Sequence, residues 1–235
     1  MPTLAMIHTV NWYDKSVIEP FAQQWLKRNP DVDVINIMDD SLLSESLAHG
    51  GPTPAVVKRM VAYILAAEAA GADVIMCSCT TMGKATDVGK AMANVPVFNI
   101  DEPMAREAVR AGRRLGIVAT VPTSAPATER LLLRAAREAK ADVEIETAVN
   151  ESAFQALLDG RLEMHDSLVH EEMDRLSRRV DAIVLGQISL AKIRHDPGAA
   201  VYQVGHTGFA EARRLLDQCN GGNHQKQTTA EATST

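Results

Sequence analysis

The chain has 235 residues, of which 46% are apolar, and its 24 basic and 30 acidic side chains give a net charge of −6. A chain of this length can form one large domain or two smaller lobes. No block of basic residues and no bilayer-spanning apolar run interrupts it, which argues against nucleic acid and membrane as partners. The three cysteines do not make a disulfide framework, and the first residues lack the pattern of a signal peptide, so we expect a cytoplasmic protein.

The first hundred residues alternate apolar strands with amphipathic helices. Strands are predicted at residues 4–8, 32–37 and 95–100. Apolar side chains at helical spacing predict a helix over residues 18–26, with Pro20 in its first turn. The stretch 39–54 is predicted to be a long loop, and loops of this length often cover binding sites.

A further strand leads into the segment Cys77-Ser78-Cys79-Thr80-Thr81, after which a helix-compatible segment begins. Parallel α/β proteins bind their ligands at the carboxyl ends of strands. A helix N-terminus stabilises negative charge, so we expect Cys79 to form a thiolate more readily than free cysteine does. The sequence therefore predicts that Cys79 is the reactive group.

The second half of the chain repeats the first. The segment VDAIVLGQISLAK aligns without a gap with ADVIMCSCTTMGK at an offset of 108 residues, and two other pairs of segments align at 111 and 104. The alignment pairs Cys79 with Gln187 and Thr81 with Ser189. It predicts an α/β protein of two pseudo-symmetric lobes, each a parallel sheet flanked by helices, with the active site in the cleft between the lobes.

The repeat also suggests the limits of the lobes. The first lobe is predicted to take residues 1–100 and 205–220, and the second to take residues 101–204. The final helix is predicted to end near Gln218, and residues 221–235, which are small and polar, are predicted to be a disordered tail.

This layout resembles the aspartate/glutamate racemase superfamily, which also includes hydantoin racemases, maleate cis-trans isomerase and arylmalonate decarboxylase. The segment Cys79-Thr80-Thr81 is similar to the family's Cys-Asn-Thr strand end, and residues 184–187 are similar to its Leu-Gly-Cys-Thr strand end. The resemblance implies a small carboxylate substrate held between the lobes, no cofactor and a homo-oligomer. The sequence departs from the family where the second cysteine would stand, because glutamine can donate and accept hydrogen bonds but cannot serve as a base.

The candidate site residues follow from the strand ends and from the resemblance. Cys79 is the predicted catalytic residue, and the threonines after it are predicted to stabilise a developing oxyanion. His8 is a candidate second acid or base, with a structural role as the alternative. No phosphate-binding glycine motif and no metal-ligand spacing is present, so no nucleotide and no metal are expected. The predicted substrate-binding residues are His8, Asn11, Thr80, Thr81, Thr120, Thr123, Gln187, Ser189 and His206.

Several functions remain open from the sequence. The first is a cofactor-independent isomerase or racemase that acts on a small carboxylate or a cyclic ureide through a cysteine thiolate. The second is a single-cysteine decarboxylase or lyase of the arylmalonate decarboxylase type, in which Cys79 delivers one proton to a carbanion. A maleate-type cis-trans isomerase, with Cys79 as the attacking nucleophile, also remains open. The third is a two-lobed binding protein without catalysis, in which Cys79 would have no unusual reactivity.

Overall fold

The computed structural model describes the backbone of residues 1–232 and the side chains of residues 1–219. The predicted disordered tail, residues 221–235, therefore lies outside the fully described part of the chain. No helix in the described part is both long and apolar enough to cross a membrane.

The first half of the chain builds a four-stranded parallel sheet from β1 (Thr3–His8), β2 (Asp33–Met38), β3 (Val74–Cys77) and β4 (Val97–Asn99). The spatial order is β2-β1-β3-β4. The two central strands, β1 and β3, are almost wholly buried, as expected for a parallel sheet covered on both faces.

The second half repeats this sheet with β5 (Arg114–Ala119), β6 (Glu144–Val149), β7 (Ala182–Leu185) and β8 (Ala200–Gln203). The order β6-β5-β7-β8 is the same order shifted by four strands, and all pairs are again parallel. The predicted α/β fold of two similar lobes is confirmed.

The α-helices connect the strands and cover the sheets. Their bounds are α1 Gln23–Arg28, α2 Ser41–Ala48, α3 Pro54–Ala69, α4 Gly83–Lys90, α5 Glu102–Ala111, α6 Ser124–Ala139, α7 Glu151–Leu158, α8 Leu162–Ser177 and α9 His206–Ala232. A π-helix, Asp14–Ala22, precedes α1, and short 3₁₀ turns follow β3 and β7 at Thr80–Met82 and Ile188–Leu190.

The apolar core forms three clusters. One cluster on the outer face of the first sheet includes α3 and α4, and another on the outer face of the second sheet includes α8. The largest cluster lies between the sheets and includes residues of both halves, such as Leu4 and Leu115. The last helix, α9, packs on β1 and β3, and Phe209 in it contacts Trp25 at a ring-centroid distance of 5.5 Å.

Three local predictions are wrong. The last helix continues to Ala232 rather than ending near Gln218. Pro20 lies inside the π-helix rather than in a first helical turn. Proline has no backbone N–H and cannot make the regular α-helical hydrogen bond, and the wider π turns tolerate this missing bond.

The stretch 39–54 contains α2 rather than a continuous loop. Arg59 of α3 holds this helix by pairing with Glu45 at 2.6 Å and with Asp39 at 3.1 Å. This tertiary pairing leaves no local sequence signal.

We expect Phe209→Ala to destabilise the protein strongly, because its ring is 2% exposed and belongs to the largest core cluster. Removing a buried phenylalanine side chain costs about 3–5 kcal/mol. Urea denaturation followed by circular dichroism measures the free energy of unfolding. Leu133→Ala is the matched control, since Leu133 is 38% exposed and its loss should change stability by less than about 0.5 kcal/mol. Equal effects of the two variants would contradict this account of the core.

Candidate active site

The carboxyl ends of β1, β3, β5 and β7 meet around one small cavity between the two sheets. Most of its walls come from the four loops that follow these strands, and α2 and α7 each add one apolar side chain. The lining residues are Thr9, Val10, Trp12, Leu43, Ser78, Cys79, Thr80, Thr81, Val121, Ser124, Phe154, Gln187, Ile188 and Ser189.

Cys79 occupies the cavity wall in an extended conformation, just before the 3₁₀ turn that begins at Thr80. It is a free, partly exposed thiol. Burial raises the pKa of the Cys79 thiol, and hydrogen bonds from the Thr9 hydroxyl and from the backbone N–H groups of Met82 and Thr81 oppose the rise. The expectation of an easily formed thiolate is therefore wrong, because desolvation outweighs the donors at the start of the turn.

Cys77 differs from Cys79 in its surroundings. It is completely buried in β3, and burial raises the pKa of its thiol to about 12. Cys77 therefore packs in the core as an inert side chain.

The threonines after Cys79 connect the lobes. The Thr80 hydroxyl donates to the carbonyl oxygen of Gly186, and the Thr81 and Thr123 hydroxyl oxygens are 3.0 Å apart. Gly186 must lack a side chain here, since a Cβ atom would lie 2.3 Å from Oγ1 of Thr128. The segment that carries the thiol is therefore bound directly to the second lobe.

Gln187 stands opposite Cys79 in the repeat, and its carboxamide is fully engaged within its own lobe. Its Oε1 accepts from the backbone N–H groups of Thr120 and Val121 at 2.7 and 3.2 Å, and the Ser124 hydroxyl is 2.8 Å away. Its Nε2 donates to the hydroxyls of Thr120 and Ser189 at 3.1 and 3.3 Å. Gln187 thus holds the loop after β5 in place.

His8 lies behind the cavity wall. It is fully buried at the end of β1 and stacks on Tyr13, with the ring centroids 4.3 Å apart. Its Nδ1 is 3.0 Å from the Ser78 hydroxyl, and its Nε2 is 3.0 Å from Oδ1 of Asn36. When Asn36 accepts from Nε2–H, Nδ1 is left to accept from Ser78. Burial lowers the pKa of His8, which favours the neutral imidazole.

The structure brings five of the ten predicted site residues to the cavity wall: Cys79, Thr80, Thr81, Gln187 and Ser189. His8, Thr120 and Thr123 are buried one layer behind them.

Two of the predicted residues lie outside the cavity. Asn11 is exposed on the loop after β1. His206 is exposed at the start of α9, edge-on to Phe21, because it follows β8, the edge strand of its sheet.

Several cavity residues escaped the sequence analysis. Trp12 belongs to a loop whose predicted binding group was the polar side chain of Asn11, and Ser78 lies between the two cysteines that carry the stronger chemical signal. Leu43 and Phe154 come from α2 and α7, and a single apolar residue in a helix gives no sequence signal for a cavity.

The cavity wall carries no charged side chain among the residues that the structure describes. Its polar groups are hydroxyls, one carboxamide and one thiol. Nowhere in the described part of the chain are three His, Cys, Asp or Glu side chains grouped as they would be around a metal ion.

The sequence model of the family described as Asp/Glu/Hydantoin racemase matches residues 16–205. No curated protein matches the chain significantly.

Several solved structures share the fold. An aspartate racemase homologue from Pyrococcus horikoshii is 16% identical with a TM-score of 0.65, covering 94% of this chain and 100% of its own. The glutamate racemase of Francisella tularensis in complex with D-glutamate is 14% identical with a TM-score of 0.66, covering 92% and 81%. A glycine-to-cysteine mutant of arylmalonate decarboxylase is 16% identical with a TM-score of 0.57, covering 92% and 94%.

We expect Gln187→Ala to lower the free energy of unfolding by about 1–3 kcal/mol, because it leaves buried donors of the loop after β5 without a partner. Chemical denaturation measures the loss, and hydrogen exchange should accelerate at the amides of Thr120 and Val121. The exposed Gln155 provides the matched control, Gln155→Ala. Unchanged stability and unchanged exchange in Gln187→Ala would refute the bracing role.

The raised pKa of Cys79 predicts how its reactivity depends on pH. Its alkylation by iodoacetamide should rise with a midpoint above the ordinary thiol value of about 8.5, because less thiolate is present at neutral pH. Thr9→Val should move the midpoint higher still, since the Thr9 hydroxyl favours the thiolate. Cys79→Ser supplies the background from the other two cysteines. A midpoint below that of free cysteine would contradict the dominance of burial.

Proposed function

The chain belongs to the Asp/Glu/hydantoin racemase family, and from this premise we propose that it is a cofactor-independent isomerase or racemase that uses the Cys79 thiol. Its substrate would be a small carboxylate or a cyclic ureide, and the uncharged wall of the cavity favours the cyclic ureide. The observation that carries the proposal is the position of Cys79, a partly exposed thiol in the wall of an uncharged cavity where the strand ends of both lobes meet.

Removal of a proton from a carbon beside a carbonyl group leaves negative charge on the carbonyl oxygen. Such a reaction needs a base at the carbon and hydrogen-bond donors at the oxygen. Cys79 is the proposed base, and its thiolate would be stabilised by the Thr9 hydroxyl and two backbone N–H groups. Ser189 presents its hydroxyl to the same cavity and accepts from Gln187, which leaves the Ser189 proton as the proposed donor to the oxygen.

A second proton carrier is needed if the carbon is to be protonated from another direction. Gln187 cannot fill this role. Ser78 lines the cavity and is hydrogen-bonded to the neutral imidazole of His8. Consecutive residues in an extended chain direct their side chains to opposite sides, so Ser78 and Cys79 approach the substrate differently. We infer that His8 acts through Ser78. When the Ser78 hydroxyl gives its proton to the carbon, a protonated His8 returns a proton to the serine oxygen and becomes neutral. In the reverse direction neutral His8 takes the Ser78 proton while the serine oxygen takes the proton of the carbon, and the Cys79 thiol protonates the carbon.

The absence of charged side chains in the described cavity wall favours a neutral substrate. A zwitterionic amino acid held wholly within this cavity would leave an ammonium group and a carboxylate without counter-charges, which is costly in a confined site. A cyclic ureide is neutral and carries amide donors and acceptors that hydroxyls can pair with. It also has an acidic carbon beside a carbonyl group.

The neighbouring cavity offers room for a substituent on such a ring. This cavity, about 520 Å³ in volume, shares Trp12, Ile188 and Ser189 with the first. Its wall is largely apolar and includes Leu157 and Leu162, and it also carries the charged side chains of Lys15, Asp166 and Lys192. A substituted cyclic ureide would place its ring beside Cys79 and its apolar substituent in the larger cavity.

A single-cysteine decarboxylase is the second candidate, and the chemistry of one thiol favours it. Decarboxylation leaves a carbanion that needs only one proton donor, and the raised pKa of Cys79 keeps its thiol protonated near neutral pH. Release of carbon dioxide from a malonate-type substrate, with a single product enantiomer, would support this function over racemisation. The cytoplasmic location and the homo-oligomeric state stay predictions from sequence and resemblance.

The test of the leading proposal is deuterium exchange at the acidic carbon of 5-substituted hydantoins in D₂O, followed by NMR, with optical rotation as a second readout. We expect exchange with the unaltered protein and its loss in Cys79→Ala and Cys79→Ser, because neither side chain provides a thiolate. Cys219→Ser is the matched control, since Cys219 lies on α9 beside the backbone of Asp73.

Two outcomes would overturn the proposal. Full exchange activity in the Cys79 variants would remove the thiol from the reaction. Absence of exchange with hydantoins, together with release of carbon dioxide from a malonate, would replace it with the decarboxylase.

A further inference from the structure

A second cavity lies between the lobes, on the other side of Thr80 from Cys79. Its volume is about 180 Å³, and Thr80 is the single residue that it shares with the cavity around Cys79. One wall comes from the first lobe, through Gly83 and Asn99, and the other comes from α6. Nothing in the proposed reaction uses this space.

The α6 wall carries three arginines. Arg134 is paired with Asp87 at 2.7 Å and with Glu102 at 3.2 Å, so its charge is balanced. Arg130 has no hydrogen bond or ion pair with any side chain that the structure describes, and burial lowers the pKa of its guanidinium. Arg137 is exposed at the rim. The cavity therefore contains a partly desolvated cation without a counter-charge in contact.

The first-lobe wall is shaped to admit this cation. A Cβ atom at Gly83 would lie 2.5 Å from Nη2 of Arg130 and 3.2 Å from Nδ2 of Asn99, so the guanidinium occupies the space that a side chain would fill. The Asn99 carboxamide accepts from the Thr86 hydroxyl through Oδ1 at 2.9 Å, which leaves its Nδ2 donor for the cavity. Two donors from different lobes thus converge.

The side chain of Asp101 gives independent evidence that the cavity binds a ligand. Its side chain is 1% exposed and lines the cavity, and its Oδ1 has no hydrogen-bond partner in the described structure. Burial raises the pKa of this carboxyl group to about 7, against the opposing effect of a hydrogen bond between Asp101 and the Thr80 side chain. A buried carboxyl oxygen without a partner is rare in proteins, and a protonated Asp101 would be a donor to an anion.

We propose that this cavity binds the oxyanion group of a small molecule, a carboxylate or a phosphate, between the guanidinium of Arg130 and the amide of Asn99. Guanidinium groups bind both anions through paired, charge-assisted hydrogen bonds. The bound anion joins α6 of the second lobe to the β4 end of the first, beside the threonine that follows Cys79. The site is separate from the proposed reaction and does not depend on it.

The test measures binding of inorganic phosphate and of malonate to the full chain by isothermal titration calorimetry and by thermal unfolding, against sodium chloride of matched ionic strength. We expect saturable binding of at least one of the two anions, and the comparison tells a phosphate ligand from a carboxylate ligand. Arg130→Gln should weaken binding by about 10- to 100-fold, the loss expected for charge-assisted hydrogen bonds.

Three variants make the test specific. Arg110→Gln, on the exposed face of α5, should leave binding unchanged. Cys79→Ala should also leave it unchanged, which separates this site from the cavity around the thiol. At pH 8 Asp101→Asn should tighten binding, because the unaltered carboxyl group is then largely ionised and repels the anion, whereas the amide can still donate to it. This variant decides the question if Arg130→Gln fails to fold by circular dichroism.

Three results would overturn the proposal. The first is no saturable binding of either anion beyond the effect of chloride. The second is equal binding by Arg130→Gln and the unaltered protein, and the third is loss of binding in Cys79→Ala.

Discussion

The hydrogen bonds from Thr80 and Thr81 to the second lobe are the interaction on which the candidate site depends. These residues directly follow Cys79, and their hydroxyls bond to Gly186 and Thr123 across the cleft. The thiol is therefore positioned by both lobes at once. A change in the angle between the lobes would move Cys79 relative to the Gln187 side of the cavity, so the relative position of the lobes and the chemistry of the site are linked.

The two halves of the site differ in chemistry although the two sheets that carry them have the same strand order. On the first-lobe side, hydroxyl and N–H donors surround a thiol that can gain and lose a proton. On the second-lobe side, the carboxamide of Gln187 uses all its hydrogen-bonding capacity within its own lobe. The first-lobe side thus carries the titratable thiol, and the second-lobe side gives shape to the cavity. The duplication of the fold has thus been kept without a duplication of the chemistry.

The sequence predicted the two similar parallel sheets correctly, because buried parallel strands appear as short apolar runs that alternate regularly with helices. The internal repeat placed Cys79 and Gln187 at equivalent strand ends, and the sheets have the same strand order. It could not predict the direction of the pKa shift at Cys79, because desolvation depends on the surrounding fold rather than on neighbouring residues. The sequence also could not predict that Phe154 of α7 lines the cavity, because this too depends on how the helices pack in the fold.

The packing of α9 has a consequence for how the chain folds during synthesis. The first sheet is complete once β4 has been made, but α9, which covers β1 and β3, begins at His206, after the whole second sheet. Domains generally fold as units as they leave the ribosome, from the N-terminus onward. The apolar surface around Trp25 therefore stays exposed on the first lobe until Phe209 has been synthesised and can pack against it. During that interval the nascent chain exposes a surface on which chaperones, or other unfinished chains, can bind.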